Sequence, residues 1–179
     1  RFVLNNFVSN SLYNWSNLSN LQKATLDLNN LDERFENLKK IQNIFLNCYF
    51  ESSNTSDIFL NVISNPKTDF SRYNYFYASY VASTGDIDSA KEIVNTALEL
   101  YPRNLLLNQY RINLRDSNNN LIFDCKQKKH VIAEILYITS NALASQSLYS
   151  LSNFYLNMAK YLNEDFYSYD TLLAENYYD

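Results

Sequence analysis

Apolar residues recur along this chain at spacings of three and four, with polar residues between them. That period places apolar side chains on one stripe of an α-helix. In residues 1–20 the stripe is Phe2, Leu4, Phe7, Val8, Leu12 and Trp15. Residues 21–31 read as a short helix and a turn, broken at Asn29 and Asn30. In 32–50 the stripe is Phe35, Leu38, Ile41, Phe45 and Cys48, with Glu33, Glu36, Lys39 and Lys40 mostly off it. After a polar break at 52–56, Ser56 is placed to cap a short helix carrying Phe59, Leu60, Val62 and Ile63. Pro66 then ends it.

The second half continues in the same manner. Asp69 is a candidate N-cap for a helix over about 71–83 that carries Tyr73, Tyr75, Phe76, Tyr77 and Tyr80. Gly85 follows, where a left-handed C-cap is needed, and Asp86 can cap the next start. That next helix carries Ala90, Ile93, Val94, Ala97, Leu98 and Tyr101 and stops at Pro102. Residues 105–115 read as helix, 116–120 as a loop, and 121–129 fit neither pattern cleanly. Val131, Ile132, Ile135, Leu136, Ile138 and Leu143 mark a helix over 130–144. Its partner over 147–162 shows Leu148, Leu151, Tyr155, Met158 and Leu162 as its apolar stripe, and a last helix begins near Tyr167.

Composition sharpens this to an all-α expectation. The 179 residues include one Gly and two Pro, where average usage gives roughly a dozen Gly. Sheets need Gly for turns and bulges, and phosphate-cradling loops need it for close approach. Asn and Tyr are over-represented, the mark of AT-rich coding. Net charge is −4 and dispersed, which argues against nucleic acid. No apolar run reaches the length of a membrane span. Cys48 and Cys125 are far apart and read as two small core residues with free thiols, which leans toward a reducing, cytoplasmic setting. A periplasmic location is compatible if a signal peptide precedes this segment. The chain begins at Arg1 without Met and reads as a piece of a longer protein.

Residues 71–104 form a unit of 34 residues, and its second half is GDIDSAKEIVNTALELYPRN. This closely resembles the tetratricopeptide repeat. Gly85 matches the turn glycine, Ala78, Ala90 and Ala97 the small positions, and Pro102 the terminal proline. Small residues at those positions let helices approach closely. A weaker match lies further on. There Ala159 takes the role of Ala97, Ser152 stands at a small position and Glu164 at the proline position. Ala174 and Tyr177 take the small and aromatic positions of the helix after. Asn- and Tyr-rich arrays of this sort resemble tetratricopeptide proteins of AT-rich bacteria. The resemblance implies a single domain over 1–179, an α-solenoid of about eight to ten helices. Antiparallel pairs would wind in a right-handed superhelix, clearest at 71–104 and degenerate over 1–65 and 105–179.

Residues for catalysis are scarce. One Gly rules out a glycine-rich phosphate loop, and the single His130 excludes a multi-His metal site. Cys125 and His130 make a poor metal pair or nucleophile pair, lacking further ligands and an oxyanion hole. Asp27, Asp32, Glu33 and Glu36 read as solvated helix-start charges. The N-x-[ST] matches at Asn14, Asn17 and Asn54 are expected by chance in so Asn- and Ser-rich a chain. We therefore expect no enzyme, no cofactor and no metal site. The expectation is a scaffold or adaptor that binds a protein or peptide partner, with no nucleic acid. The alternative is a docking or regulatory segment of a larger enzyme. The family's partner surface is the concave face lined by the first helix of each repeat. On this register that implies Arg72, Tyr75, Phe76 and Ser79, then Gln109, Tyr110 and Asn113, then Glu134, Tyr137 and Asn141. Open ends of such an array also make self-association possible.

Overall fold

The computed structural model describes residues 2–64, 70–116 and 122–178. The expected stop at Pro66, the cap at Asp69 and most of the 116–120 loop lie outside them. All regular structure among the described residues is helical. The α-helices are α1 (Phe2–Ser16), α2 (Leu21–Asn29), α3 (Glu36–Tyr49), α4 (Thr55–Ile63), α5 (Tyr73–Ser83), α6 (Ile87–Leu100), α7 (Leu105–Arg115), α8 (Lys128–Ala144), α9 (Tyr149–Leu162) and α10 (Ser168–Tyr178). A 3-10 turn, Glu33–Phe35, precedes α3. Capping fixes several starts. Asn20 accepts from Lys23 N at 2.9 Å, Asp86 from Ser89 N at 3.0 Å and Asn104 from Leu107 N at 3.1 Å, each satisfying an orphan donor. Ser56 does not cap α4, which begins one residue earlier after Asn54.

The chain divides into two compact units. Unit 1 comprises Arg1–Glu51 and Cys125–Asp179, and unit 2 is Ser52–Asp124, inserted between its halves. In unit 1, α3 is deeply buried: Lys39 and nearly every residue from Ile41 to Cys48 are buried. The polar members have partners. Gln42 accepts from Trp15 Nε1 at 3.1 Å and donates to Ser11 Oγ at 3.0 Å. Lys39, expected off the buried stripe, is buried as well. Its Nζ donates to the carbonyls of Asn29, the last residue of α2, and of Leu31 just beyond it, at 3.1 and 3.2 Å. A cation there satisfies orphan carbonyls and the helix dipole together.

Cys48 and Cys125 are joined in a disulfide within unit 1, which corrects the expectation of free thiols. The crosslink sits where the chain leaves this unit and where it returns. Glu51 and Lys126 form an ion pair beside it. The argument for a reducing compartment falls with the free thiols, since disulfides persist where the surroundings are oxidising.

Unit 2 contains the 71–104 segment as a helical hairpin, α5 and α6, followed by α7 against both. The turn places Gly85 at φ 96°, as its role at the helix end requires. Ala78, Ala90 and Ala97 are all buried. Within unit 1, α8, α9 and α10 repeat this arrangement 62 positions further on. Gly85 becomes Ser147, also left-handed at φ 56°. The span of α6 becomes that of α9, residue for residue. Ala78, Ala90, Val94 and Ala97 become Ser140, Ser152, Leu156 and Ala159, all buried. Leu107, Tyr110 and Leu114 of α7 become Tyr169, Leu172 and Asn176 of α10, again the buried set.

The close approach in the second trio is polar. Ser152 Oγ donates to Ser140 O at 2.9 Å, and Asn176 Nδ2 donates to Ser152 Oγ at 2.8 Å. Two expectations for this region need correction. Met158 is 38% exposed; the buried face of α9 is Ser152, Leu156 and Ala159. Ala174 and Tyr177 are exposed on α10, like Ile112 at the corresponding place on α7.

Candidate functional site

The aromatic helix α5 and the amide-rich helix α7 form the part of the expected partner face that lies in unit 2. Most of its aromatic residues are used in packing. Tyr75 meets Tyr110 edge-on at 4.9 Å between ring centroids, and Phe76 meets Phe123 at 4.5 Å. Tyr75, Phe76, Ser79 and Tyr110 are all buried. Burial pushes the Tyr110 phenol up to about 12, although a hydrogen bond with Ser79 partly opposes the shift. Tyr75, Ser79 and Tyr110 hold α5 to α7, Phe76 packs on Phe123, and all four offer little surface to a partner.

The accessible members of the expected face on these helices are polar, although Leu105 and Ile112 of α7 are also exposed. Arg72 is half-buried, with its guanidinium 5.4 Å from the centre of the Phe76 ring, a cation–π arrangement. Gln109 is exposed and donates to the half-buried Asn113 at 3.1 Å. The pair forms an amide ridge along α7 with donors and acceptors left for a partner backbone.

The other expected face residues lie in unit 1. Glu134 is fully buried, Tyr137 is half-buried against Tyr169 at 5.5 Å, and Asn141 is exposed. Glu134 and His130 are one helical turn apart, both buried. The disulfide holds the Cys125 sulfur, so a Cys–His nucleophile has no thiol.

Unit 1 also has a cleft of about 410 Å³ lined by Leu4, Phe35, Leu38, Leu143 and Leu148, with Arg34 and Glu36 as its charged members. Arg34 is already engaged: its Nε and Nη2 donate to Asp32 at 2.9 and 2.6 Å. Those bonds hold the Asp32 carboxyl down at about 2. The cleft is thus an apolar groove with a neutralised cation at its edge.

Sequence reading missed a feature on α9. Phe154, Met158 and Tyr161, at spacings of four and three, face solvent at 57, 38 and 87% exposure. The 62-position correspondence with α6 would have revealed it, since the matching residues Glu92, Thr96 and Glu99 are polar and equally outward.

Among the described residues no helix is long and apolar enough to cross a membrane. Comparison with protein-family models, curated proteins and solved structures finds no match to this chain.

Proposed function

We propose that this chain is a non-catalytic protein-binding module built from tetratricopeptide-like repeats. The observation that carries the reading is the recurrence of one helix–turn–helix–helix unit. The same positions are small, buried or left-handed in α5–α7 and in α8–α10. A supersecondary unit repeated at different positions, with little identity between the copies, is what repeat proteins use to build binding surfaces.

Within this reading, Arg72, Gln109 and Asn113 are the contacts that unit 2 offers to an extended or helical peptide, and Tyr75, Phe76, Ser79 and Tyr110 support that surface from beneath. In unit 1, taken by itself, Asn141 and the half-buried Tyr137 are the accessible members of the expected set, and Glu134 is buried. Replacing Tyr75 would test packing, so the informative variant is Gln109→Ala/Asn113→Ala. Partner protein recovered by co-purification with the full-length protein should fall at least about tenfold, as for loss of a hot spot. Unchanged recovery, with the variant folded by circular dichroism, would remove this face from consideration.

A further inference from the structure

We infer that the outer stripe of α9 is a second docking surface, and that its occupant is a cationic amphipathic helix of a partner protein. The first ground is the comparison between the two repeats. In both, the outward face of the second helix takes in five corresponding positions. On α6 they are Asp88, Glu92, Asn95, Thr96 and Glu99, all exposed and all polar. On α9 they are Ser150, Phe154, Asn157, Met158 and Tyr161, equally exposed. The fold asks nothing apolar of these positions, since α6 fills them with carboxylates and amides. Two large rings and a thioether there cost solubility with little gain in packing: Phe154 meets its neighbour Tyr155 edge-on at 5.5 Å between ring centroids, and all three side chains stay exposed. An apolar stripe on the solvated face of a helix marks an interaction site.

The second ground is charge. The stretch from Tyr149 to Tyr178 has four carboxylates, Glu164, Asp165, Asp170 and Glu175, against one cation, Lys160. Lys160 is held by Asp170 at 2.5 Å. Glu164 and Asp165 are exposed and follow the stripe directly, about one turn beyond Tyr161. Aromatic faces and unpaired carboxylates share a preference for lysine and arginine.

The third ground is reach. Phe154 to Tyr161 spans roughly 10 Å, two helical turns. Anchors at i, i+4 and i+7 match the contact row of a partner helix laid along it. This surface is separate from the α5–α7 face and stands whether or not that face binds a partner.

The test uses a fluorescein-labelled amphipathic helix of Leu and Lys as probe, with a Leu/Glu helix of the same pattern as control. Anisotropy titrations compare the wild-type chain with three variants. Phe154→Ser/Tyr161→Ser is expected to weaken Leu/Lys binding at least tenfold. Its side chains are exposed, so its thermal melt should match wild type. Glu164→Gln/Asp165→Asn is expected to weaken binding about threefold and to flatten its salt dependence. Gln109→Ala/Asn113→Ala is expected to bind as wild type, which separates this site from the other. Equal affinity of the wild type and Phe154→Ser/Tyr161→Ser overturns the proposal. So does equal binding of the Leu/Glu probe. A wild-type dimer in sedimentation that the Phe154→Ser/Tyr161→Ser variant abolishes would assign the stripe to a second copy of the chain, and also overturns it.

Discussion

Breaking the Cys48–Cys125 crosslink should remove a large share of the stability of unit 1. The two residues are 77 positions apart, and the loop they close contains the whole of unit 2. Closing a loop of that length removes about 15 cal/mol/K from the unfolded chain, or roughly 4.5 kcal/mol at 25 °C. Domains of ordinary stability have about 5–15 kcal/mol in total. Cys48 is 1% exposed, so Ala is a better replacement than Ser, which would bury a hydroxyl. Truncation still costs some packing, and reduction of the wild type by dithiothreitol keeps both sulfurs in place. The readout is specific because Trp15 is the one Trp in the chain and is buried in unit 1, its indole bonded to Gln42. Its fluorescence therefore follows unit 1, while far-ultraviolet circular dichroism follows both units. In urea, reduced wild type and Cys48→Ala/Cys125→Ala should each lose about 3–5 kcal/mol by fluorescence. If both stay within about 1 kcal/mol of the oxidised protein, the loop-entropy reasoning is wrong. If the fluorescence and dichroism transitions separate, the units unfold independently and the loss belongs to the unit 1 transition.

Three further outcomes follow from the paired repeats and from burial. The folded Tyr110 phenol keeps its proton up to about 12, while an unfolded Tyr loses it near 10. Its contribution is therefore complete below pH 10 and is lost as pH rises from 10 to 12, about 1 kcal/mol by pH 11. Urea midpoints at pH 9 and 11 should show this loss in the wild type and a smaller one in Tyr110→Phe. Gly85→Ala should destabilise by roughly 1 kcal/mol although a Cβ there meets nothing within 4 Å, because φ is 96°. Ser147→Gly, at φ 56°, should stabilise by about 0.5 kcal/mol, and thermal melts sharing one sign for both would contradict the shared role. Ser152→Ala takes an acceptor from the buried Asn176 and should cost about 1–2 kcal/mol. Adding Asn176→Leu copies the apolar Ala90 and Leu114 of the other repeat and should recover most of that in a denaturation-based double-mutant cycle.

Helix positions were largely legible because three- and four-residue spacing survives Asn-rich composition. The caps at Asp86 and Gly85 were legible for the same local reasons. The disulfide was not, since two Cys far apart in sequence carry no sign of proximity until α3 and α8 are packed together. The division into units was hidden too, because the polar break at 52–56 looks in sequence like any other turn between helices. Of the expected partner face, Gln109, Asn113 and Asn141 are reachable, whereas Tyr75, Phe76 and Tyr110 are consumed by packing. Tyr is ambiguous at the sequence level, since one ring serves equally as core and as contact.

The errors on α9 have a common origin that explains the rest of the fold. Apolar spacing made Leu148, Leu151, Tyr155, Met158 and Leu162 the inward stripe, while the repeat register turned Ser152 and Ala159 inward. The two cannot both face the hairpin partner, and the structure follows the register. Close helix approach requires small residues, and small residues contribute little to any hydrophobic count. The tightest face of a repeat helix is therefore the least visible in sequence, and the apolar bulk falls on its flanks. The effect is stronger in α8–α10 than in α5–α7, because Ser140 and Ser152 replace Ala78 and Ala90 and a hydroxyl–carbonyl bond takes over from methyl contact. On that register Met158 and Tyr161 face solvent, and Phe154 meets its neighbour Tyr155 edge-on while staying exposed. That exposed apolar surface is the ground for the docking stripe proposed on α9.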